Sequence, residues 1–363
     1  MNIICSGAGP AGLYFSLLIK KAFPEWNVSL YEKSHARQTE GWGLILSQGL
    51  LQKMKLHDID SFNVIKENMT HWNSICVTTP TAKIYSPDYS FLSLSRKKLI
   101  AVLQERCERL GVNIVYDHKF CLKKLETENY DLLIISEGLN SENRRSIFQA
   151  EININEKVGT NKYIWLGLEG DLGESFNFLF VETSFGYIWA HNYKFEDQLS
   201  TFVVEMSEFT WEKLGFNGLS PVESLYLCQK LFESYLKGQK LLLGENQQKN
   251  IFWHNYSEIN CDTWSIGNIV LLGNAAHNTH FSIGSGTRLA MEDAIVLANN
   301  IIINGEINSK IIEKYEESRK NATFDLHKYS RNSMEWFENI PKHLIKTCPE
   351  LFSKQLLNRA GKA

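Results

Sequence analysis

Residues 3–20 read IICSGAGPAGLYFSLLIK, and this stretch decides the fold. A short apolar run is followed by Gly7, Gly9 and Gly12 in a Gly-x-Gly-x-x-Gly spacing and then by an apolar segment of helical period. The pattern predicts a buried strand, a tight glycine turn and a helix from about Ala11 to Ala22. Gly7 permits the turn, Gly9 lets the backbone approach a pyrophosphate, and Gly12 lets the helix pack on the strand.

A carboxylate follows the next predicted strand, which runs from Val28 to Tyr31 and ends at Glu32. A carboxylate in this position accepts hydrogen bonds from adenosine ribose hydroxyls and disfavours a 2′-phosphate. It leaves NAD and FAD equally open as ligands. Pro10 and Ala11 in the turn, and Lys33 after the acid, are further cofactor-binding candidates.

Two later stretches repeat the pattern of a strand followed by a glycine-containing loop. They read DLLIISEGLNSENRR at 131–145 and LLGNAAHNTHFSIGSGTRLAMEDAIVLA at 271–298. A chain that binds NAD alone needs neither, whereas FAD has a long ribityl arm and a three-ring head that need contacts along their whole length. The three stretches together therefore favour FAD. The candidates that these two stretches add are Gly138, Gly273, Asn274, Gly284, Ser285, Gly286 and Thr287.

The order of the predicted elements gives an α/β fold with an insertion. The first part alternates strand and helix, as in a parallel sheet, and residues 41–47 (GWGLILS) are predicted as a loop that leads into a helix. Around 72–92 and 163–264 the chain is rich in aromatic and β-branched residues with strand character. We expect a Rossmann-like FAD-binding domain with an inserted mixed β-sheet substrate domain. The predicted boundaries are 1–71, 92–160 and 262–335 for the FAD-binding domain, 72–91 and 161–261 for the substrate domain, and 336–363 for a C-terminal helical tail.

Composition excludes several classes of protein. The net charge of -3 in 363 residues gives no electrostatic reason to expect nucleic acid or an anionic membrane as a partner. No apolar run approaches the roughly 20 residues that span a bilayer. The seven scattered cysteines have no metal-ligand spacing and are typical of reduced thiols in a cytoplasmic protein.

The three stretches together resemble the single-component FAD-dependent monooxygenases of the para-hydroxybenzoate hydroxylase fold group. That family carries an early Gly-x-Gly-x-x-Gly and a strand-terminal Asp-Gly with a downstream Ser and Arg. It also has a late Gly-Asp-Ala-Ala-His before a glycine-rich loop and an Asp-Ala. This chain keeps the order at 7–12, 137–144 and 273–294, so the resemblance extends to about Ser333. Residues 41–47, 94–111 and 280–295 are similar to the branch of salicylyl-CoA, 2-aminobenzoyl-CoA and tryptophan-type hydroxylases, the last of which serve pigment biosynthesis. In that branch a His-Phe pair, here His280-Phe281, replaces Pro-Pro.

Two positions depart from the family pattern. Asn274 replaces an Asp that accepts from a ribityl hydroxyl, so it keeps an acceptor oxygen but loses the charge, and we expect weaker FAD retention. Glu137 replaces an Asp and is longer by one methylene. We expect it to reach the nicotinamide–flavin region differently.

The resemblance implies an FAD-dependent monooxygenase that consumes NAD(P)H and inserts one oxygen atom of O2 into an electron-rich aromatic or heteroaromatic small molecule, through a flavin 4a-hydroperoxide. NADH or NADPH would bind transiently, because no second dinucleotide loop is present. Two alternatives stay open: a Baeyer–Villiger or epoxidising monooxygenase acting on a natural-product intermediate, and a non-oxygenating flavoprotein reductase. The substrate, including whether it is a CoA thioester, is not fixed by the sequence, and a monomer or a homodimer is expected.

The resemblance and the strand pattern also nominate side chains for the chemistry. His280 and His191 are the catalytic candidates, although His191 could equally be a solvent-facing residue of its strand. His277 is interpreted as a packing residue. Arg37 and Arg96 are candidates for the cofactor, with a solvated helix-start arginine as the alternative for Arg96. The predicted substrate pocket comprises Trp42, Tyr187, Trp189, His280 and Phe281, and Phe180, Phe185 and Phe202 are further candidate aromatic walls.

Overall fold

The computed structural model describes residues 1–39, 41–122, 129–148, 154–244 and 253–361. The strands are β1 Asn2–Ser6, β2 Asn27–Tyr31, β3 Gly43–Leu46, β4 Thr70–Thr78, β5 Lys83–Ser95, β6 Asn113–Val115, β7 Leu132–Ile135, β8 Ile154–Glu169, β9 Phe176–Thr183, β10 Gly186–Glu196, β11 Leu199–Ser207, β12 Lys240–Leu242, β13 His254–Cys261, β14 Ser265–Ile266 and β15 Ile269–Leu271. The helices are α1 Pro10–Ala22, α2 Gln48–His57, α3 Ile59–Glu67, α4 Arg96–Leu110, α5 Glu142–Phe148, α6 Glu208–Lys213, α7 Pro221–Leu231, α8 Glu233–Leu236, α9 Gly286–Asn304, α10 Ser309–Glu338, α11 Ile340–Lys346 and α12 Pro349–Asn358.

The smaller sheet has the order β14-β15-β7-β1-β2-β6. Its strands are parallel except for β14, which pairs antiparallel with β15. β7 reads Leu-Leu-Ile-Ile and is buried at every residue, as expected for the centre of a sheet covered on both faces. The Rossmann-like architecture predicted from the glycine spacing is confirmed, with α1 starting at Pro10, a favoured first helical residue.

The larger sheet has the order β12-β8-β11-β10-β9-β4-β5-β3, and β13 also pairs with β8. The prediction of a loop at 41–47 was wrong, because residues 43–46 form β3, which pairs antiparallel with β5. Leu44 and Leu46 are buried, and their pairing partners lie almost fifty residues further along the chain, beyond the reach of local patterns. The exact domain boundaries stay a prediction. Residues 43–46 and 154–160, which fall in the predicted FAD-binding domain, pair with strands of the larger sheet.

The two faces of the larger sheet differ in composition. One face packs against α6 to α8 through an apolar core that includes Ile164, Leu166, Phe202 and Phe232. Because side chains alternate along a strand, the other face carries a different set, which is aromatic and polar: Tyr163, Trp165, Phe176, Phe178, Phe180, Trp189, His191, Tyr193 and Glu205.

The C-terminal helices cover part of this aromatic face. Phe337 near the end of α10 packs with Phe178, Phe180 and Trp189, and α12 adds Phe352. The described residues of the predicted C-terminal helical tail, which starts at residue 336, therefore contribute to the hydrophobic core. None of the helices in those ranges is both long and apolar enough to cross a membrane.

Candidate active site

A groove of about 340 Å³ lies at the carboxyl ends of β1, β2 and β7, the edge of an open α/β sheet at which ligands bind. It brings together eleven of the predicted cofactor-binding residues, which come from all three glycine-containing stretches, from the end of β2 and from the start of α4. They are Gly7, Gly9, Pro10, Ala11, Glu32, Lys33, Arg96, Gly138, Asn274, Gly286 and Thr287.

Two helix N-termini meet at the groove, because α1 and α9 pack against each other and both begin on its wall. The first N–H groups of a helix have no intrahelical acceptor, and the helix dipole makes this end attractive to anions. A Cβ added to Gly9 would have its nearest neighbour 4.0 Å away, and one added to Gly286 would meet nothing within 4 Å. Both glycines therefore leave open space over a helix start, which fits the pyrophosphate and the flavin end of FAD.

Other glycines are needed by the fold itself. Gly7 has a φ of +101°, and a Cβ there would lie 2.6 Å from the carbonyl oxygen of Ser136. A Cβ on Gly12 would lie 2.2 Å from the carbonyl oxygen of Gly7. Gly12 thus sets the close packing of α1 on β1, as the motif predicts, without lining the groove.

Glu32 closes the adenosine end of the groove. Its carboxylate accepts hydrogen bonds from the backbone N–H of Ala8 at 2.8 Å and of Ser34 at 2.9 Å. These bonds fix the carboxylate at the end of β2 and leave lone pairs for the ribose hydroxyls of a bound dinucleotide.

Glu137 lines the groove, and its reach toward the nicotinamide–flavin region stays a prediction. Its two carboxylate oxygens accept hydrogen bonds from Ser6, from Ser141 at 2.6 Å and from the side chain of Asn143. The longer side chain is therefore held inside the loop that follows β7.

Arg144 joins the second and third glycine-containing stretches. It is 2% exposed and donates to the carbonyls of Leu139 at 2.7 Å and Ala275 at 3.1 Å. The downstream Ser and Arg of the second motif, Ser141 and Arg144, therefore hold the loops of the groove in position through hydrogen bonds.

Five predicted cofactor residues are not among those that line the groove. Gly12 and Gly273 are buried beneath it, and Gly284 and Ser285 precede the wall residues at the start of α9. Arg37 is exposed, has a left-handed φ of 62°, and its N–H donates to Gln104. A cofactor contact by Arg37 stays a prediction without a supporting contact.

A buried charged network supports the turn at Gly273 from behind. Asp293 accepts from Gly273 N–H at 3.2 Å and from Arg319 Nε at 2.6 Å, and it lies 2.9 Å from His277 Nε2. Burial would raise the pKa of Asp293, but His277 and Arg319 bring it below its usual range. His277, stacked on Trp264 at 4.4 Å, is a packing and bracing residue, as interpreted from the sequence.

A cluster of buried aromatic side chains, here named the aromatic chamber, lies between the aromatic face of the larger sheet and the loop 277–285. The ring of Phe281 in the loop packs at a tilt against Tyr163, at 4.7 Å between ring centroids, and meets His191 edge-on at 5.6 Å. His191 is 3% exposed and also contacts Phe178 and Phe337. The two catalytic candidates therefore lie around the same phenylalanine, and the loop that carries it leads directly into the flavin end of the groove.

His280 is held by the loop that carries it. Its Nδ1 lies 2.6 Å from Ser282 Oγ, and its backbone N–H donates to Ser330 Oγ at 2.6 Å. Since Nδ1 is used in this way, Nε2 is the nitrogen left for a ligand. Burial lowers the pKa of His280 to about 4, so the imidazole is neutral at pH 7.

Sequence reasoning missed Glu205 and Arg359. Glu205 on β11 is 1% exposed, and its carboxylate lies 3.6 Å from His191 Nε2. Arg359, which follows α12, donates to the carbonyl of Ser282 at 2.6 Å and to Ser333 Oγ at 2.9 Å. The available signal for Glu205 was an acid at an inward position of the apolar strand STFVVEM; Arg359 had no local signal.

The other predicted pocket residues are spread around the chamber. Trp189 is buried and donates to Glu205 at 2.9 Å, whereas Tyr187 is half-buried and donates to exposed Glu182. Trp42 lies flat against Gly167 of β8, where any Cβ would come within 2.6 Å of its ring.

Two of the residues suggested as aromatic walls of the pocket, Phe202 and Phe185, do not lie on the aromatic face. Phe202 lies on the opposite face of the larger sheet, which packs against α6 to α8, because it is out of phase with Glu205 along β11. Phe185 is 44% exposed in the turn between β9 and β10. Phe180 lies on the aromatic face, where it packs with Trp189 and Phe352.

A Rossmann-like sheet with this groove, joined by one loop to a buried aromatic chamber, defines a flavin-dependent oxidoreductase. Residues 231–328 match a family model described as an FAD binding domain. Salicyloyl-CoA 5-hydroxylase from Streptomyces sp. is 29% identical over 371 residues, which cover 99% of this chain and 70% of that protein. The 3-hydroxy-4-methyl-anthranilyl-[aryl-carrier protein] 5-monooxygenase from Streptosporangium sibiricum is 31% identical over 343 residues, which cover 94% and 90% respectively. Among solved structures, tetrameric 2-methyl-3-hydroxypyridine-5-carboxylic acid oxygenase matches with a TM-score of 0.70 at 16% identity, over 99% of this chain and 95% of that one.

The chain belongs to the FAD-dependent aromatic monooxygenases of the para-hydroxybenzoate hydroxylase fold group. It is an enzyme that uses FAD, with NAD(P)H as reductant, to insert an atom of O2 into an aromatic small molecule. The predicted family, fold, cofactor and reaction are confirmed, and aromatic hydroxylation is supported over Baeyer–Villiger oxidation, epoxidation or a simple reductase activity.

Proposed function

We propose that the substrate is a benzoyl thioester with an ortho hydroxyl or amino group, and that the enzyme hydroxylates the ring carbon para to that group. The names of the two relatives support this substrate class, because one acts on salicyloyl-CoA and the other on an anthranilyl group held by a carrier protein. In both, carbon 5 is para to the substituent on carbon 2. A hydroxyl or amino group on carbon 2 donates electron density to the ring carbon para to it. An electrophilic oxygen therefore reacts at carbon 5.

The observation that carries the proposal is the position of the aromatic chamber. Bound FAD supplies an oxygen atom that is taken from O2 after reduction by NAD(P)H, and the chain must keep water away from the ring that receives it. The rings of Phe281, Tyr163 and Phe178 form an apolar wall beside the loop that reaches the groove. A flat aromatic ring stacks favourably on such a wall.

The roles of individual residues are part of the proposal. His191 and His280 would contact the polar substituents of the ring, and Trp42, Trp189 and Phe281 would shape the pocket around it. Gly284 and Ser285 would contact the flavin through their backbone. Burial lowers the pKa of both His191 and His280, which favours neutral imidazoles at pH 7 whose unprotonated ring nitrogen can accept a hydrogen bond.

We also propose that the enzyme acts in the cytoplasm as a monomer or a homodimer. All seven cysteines are free, which supports a reducing compartment.

The test uses FAD-saturated enzyme with NADH or NADPH, O2 and matched pairs of thioester and free acid: salicyloyl-CoA with salicylate, and 2-aminobenzoyl-CoA with 2-aminobenzoate. We expect coupled formation of the 5-hydroxylated thioesters, measured as product per NAD(P)H consumed, and little product from the free acids. Equal turnover of acid and thioester would contradict the thioester, and product hydroxylated elsewhere on the ring would contradict the para position.

A further inference from the structure

Glu205 is a buried carboxylate in the wall of the aromatic chamber that the proposed function does not yet use. It accepts hydrogen bonds from Asn161 Nδ2 at 2.8 Å and Trp189 Nε1 at 2.9 Å. Within the described ranges no Lys or Arg forms an ion pair with it, and its nearest ionisable partner is His191. Burying an anion is costly unless it is paired, and Arg359 attracts this carboxylate without forming an ion pair with it, so a carboxylate kept here needs a reason.

The charge of Glu205 is maintained by its surroundings. Burial would raise its pKa, but the neighbouring imidazole of His191 and the hydrogen bond from Asn161 help to bring it below the ordinary value. Burial raises the pKa of the neighbouring Tyr163 to about 12, and the negative charge of Glu205 contributes to that rise. The chamber therefore holds a carboxylate anion beside a neutral phenol and neutral imidazoles at pH 7.

His191 is placed to act together with this anion. Its Nε2 lies 3.6 Å from Glu205 Oε2 and, among the described residues, has no hydrogen-bond partner. A shift of well under 1 Å would close this gap to a hydrogen bond, and such bonds are often long before the substrate binds. An imidazole oriented by a carboxylate through one nitrogen can act as a base through the other.

We propose that Glu205 and His191 form a base pair for the ring hydroxyl of the substrate, with His191 as the catalytic base and Glu205 as its positioning residue. This rests on the proposed function, because it requires a ring hydroxyl in the chamber. His280, whose Nδ1 is engaged by Ser282, is left to a contact through Nε2.

The proposed step moves the proton of the ring hydroxyl to His191 and back again. The ring hydroxyl gives its proton to His191, and the O–H electron pair enters the ring and raises the electron density at the para carbon. That carbon forms the new C–O bond with an oxygen that arrives, by the established reaction, as the equivalent of OH⁺. It then loses its hydrogen as a proton, and the original ring oxygen takes the proton back from His191. The net change is the replacement of C–H by C–OH with release of one proton.

Four elements contribute charged or titratable groups that face His191. They are Glu205 on β11, Tyr163 on β8, His280 on the loop 277–285, and Arg359 after α12, whose guanidinium lies over the rings of Phe178 and Phe337. Arg359 opposes protonation of His191 and Glu205 favours it. Removing the charge of Glu205 should therefore weaken the base selectively.

The experiment measures ionisation of a bound probe without turnover. Salicyloyl-CoA is added to FAD-saturated enzyme in the absence of NAD(P)H, and the absorbance of its phenolate is followed against pH. We expect the bound phenol to ionise at a lower pH in the wild type than in Glu205→Gln or His191→Asn, by about one pH unit or more. Coupled hydroxylation should fall in the same variants by about 10²-fold or more.

Two controls separate this role from a structural one. Glu182→Gln makes the same change at an exposed carboxylate of the same sheet and should leave the ionisation unchanged. 2-Methoxybenzoyl-CoA has no ring proton to give and should bind the wild type and both variants with the same Kd. Thermal stability and FAD affinity are measured for each variant.

The possible results separate a failure of the base pair from a failure of the proposed substrate class. If the wild type binds salicyloyl-CoA but Glu205→Gln leaves its ionisation in place, the base pair is wrong and the proposed function stands. A variant that loses stability or FAD affinity while the bound phenol ionises normally would show a structural carboxylate and also overturn the pair. If the wild type does not bind salicyloyl-CoA at all, the proposed substrate class fails, and the base pair fails with it.

Discussion

The cofactor groove and the aromatic chamber lie at opposite ends of the same loop, yet they are built differently. The groove is formed largely by backbone at glycines and at the starts of α1 and α9, with side chains such as Arg144 and Asp293 bracing it from behind. The chamber is formed by side chains from β8, β9, β10, β11 and the C-terminal helices. Backbone recognition fixes the ligand that the whole family shares, whereas the side chains of the chamber can change the substrate without disturbing the cofactor.

The strongest test of the backbone groove compares Gly9, which lines it, with Gly12, which lies beneath it. Gly9→Val should fold, because the added side chain has space and Gly9 has an ordinary φ of -74°. The side chain would occupy the path of the pyrophosphate, so FAD affinity should fall at least about 100-fold, equivalent to ~3 kcal/mol of steric conflict. Equilibrium binding followed by flavin fluorescence measures this effect.

Gly12→Ala is the matched control for that experiment. Its methyl group would collide with the carbonyl of Gly7 inside the fold, so we expect a loss of stability of about 1–3 kcal/mol, seen in denaturant unfolding of the FAD-free protein. If Gly9→Val binds FAD normally while folded, the phosphate assignment is wrong.

The chamber is tested at His280. His280→Ala should leave FAD binding intact but lower coupled hydroxylation by about 10²-fold, with the consumed NAD(P)H appearing as hydrogen peroxide, because a positioned hydrogen-bonding group is lost. Ser282→Ala removes the partner of Nδ1 while keeping the imidazole. An equal loss of coupling in both variants would mean that His280 acts by holding the loop, and an unchanged ratio of product to NAD(P)H would remove it from the chemistry.

Both regions bury neutral histidines, and this predicts sensitivity to acid. An unfolded histidine has a pKa of about 6.5, and burial lowers the pKa of His277, His191 and His280, the last to about 4. Below about pH 6.5 the unfolded chain binds protons that the folded protein does not, so stability falls by up to ~1.4 kcal/mol per pH unit for each such histidine.

His280→Asn should remove one histidine from this dependence, whereas His35→Asn makes the same change at a side chain that is 78% exposed. Denaturant midpoints at pH 7.5, 6.5 and 5.5 give the slopes. A slope that is the same in His280→Asn and in the wild type would mean that His280 is not held neutral in the folded protein.

The sequence predicts the groove far better than the chamber, for a physical reason. Glycine spacing, a strand-terminal acid and a helix start are local features, and Glu32 and Gly286 could be assigned from them. The chamber depends on which strands pair and on their phase, and one residue of phase separates Phe202 from the correct face. Arg359 could not be found at all, because its role depends on α12 folding back to the loop at Ser282, over seventy residues away in sequence.

The smallest expected effect concerns Asn274, one of the two positions at which the groove departs from its family. Asn274 lines the groove in the turn that Asp293 supports from behind. Asn274→Asp should tighten FAD binding by about 1 kcal/mol, or roughly fivefold, because a charged acceptor makes a stronger hydrogen bond to a ribityl hydroxyl. Asn140→Asp adds the same charge elsewhere on the groove and should not tighten binding. Equal tightening in both variants would point to a general charge effect. Weaker binding in Asn274→Asp would mean that this residue does not accept from the ribityl arm, and that the groove holds FAD here through backbone alone.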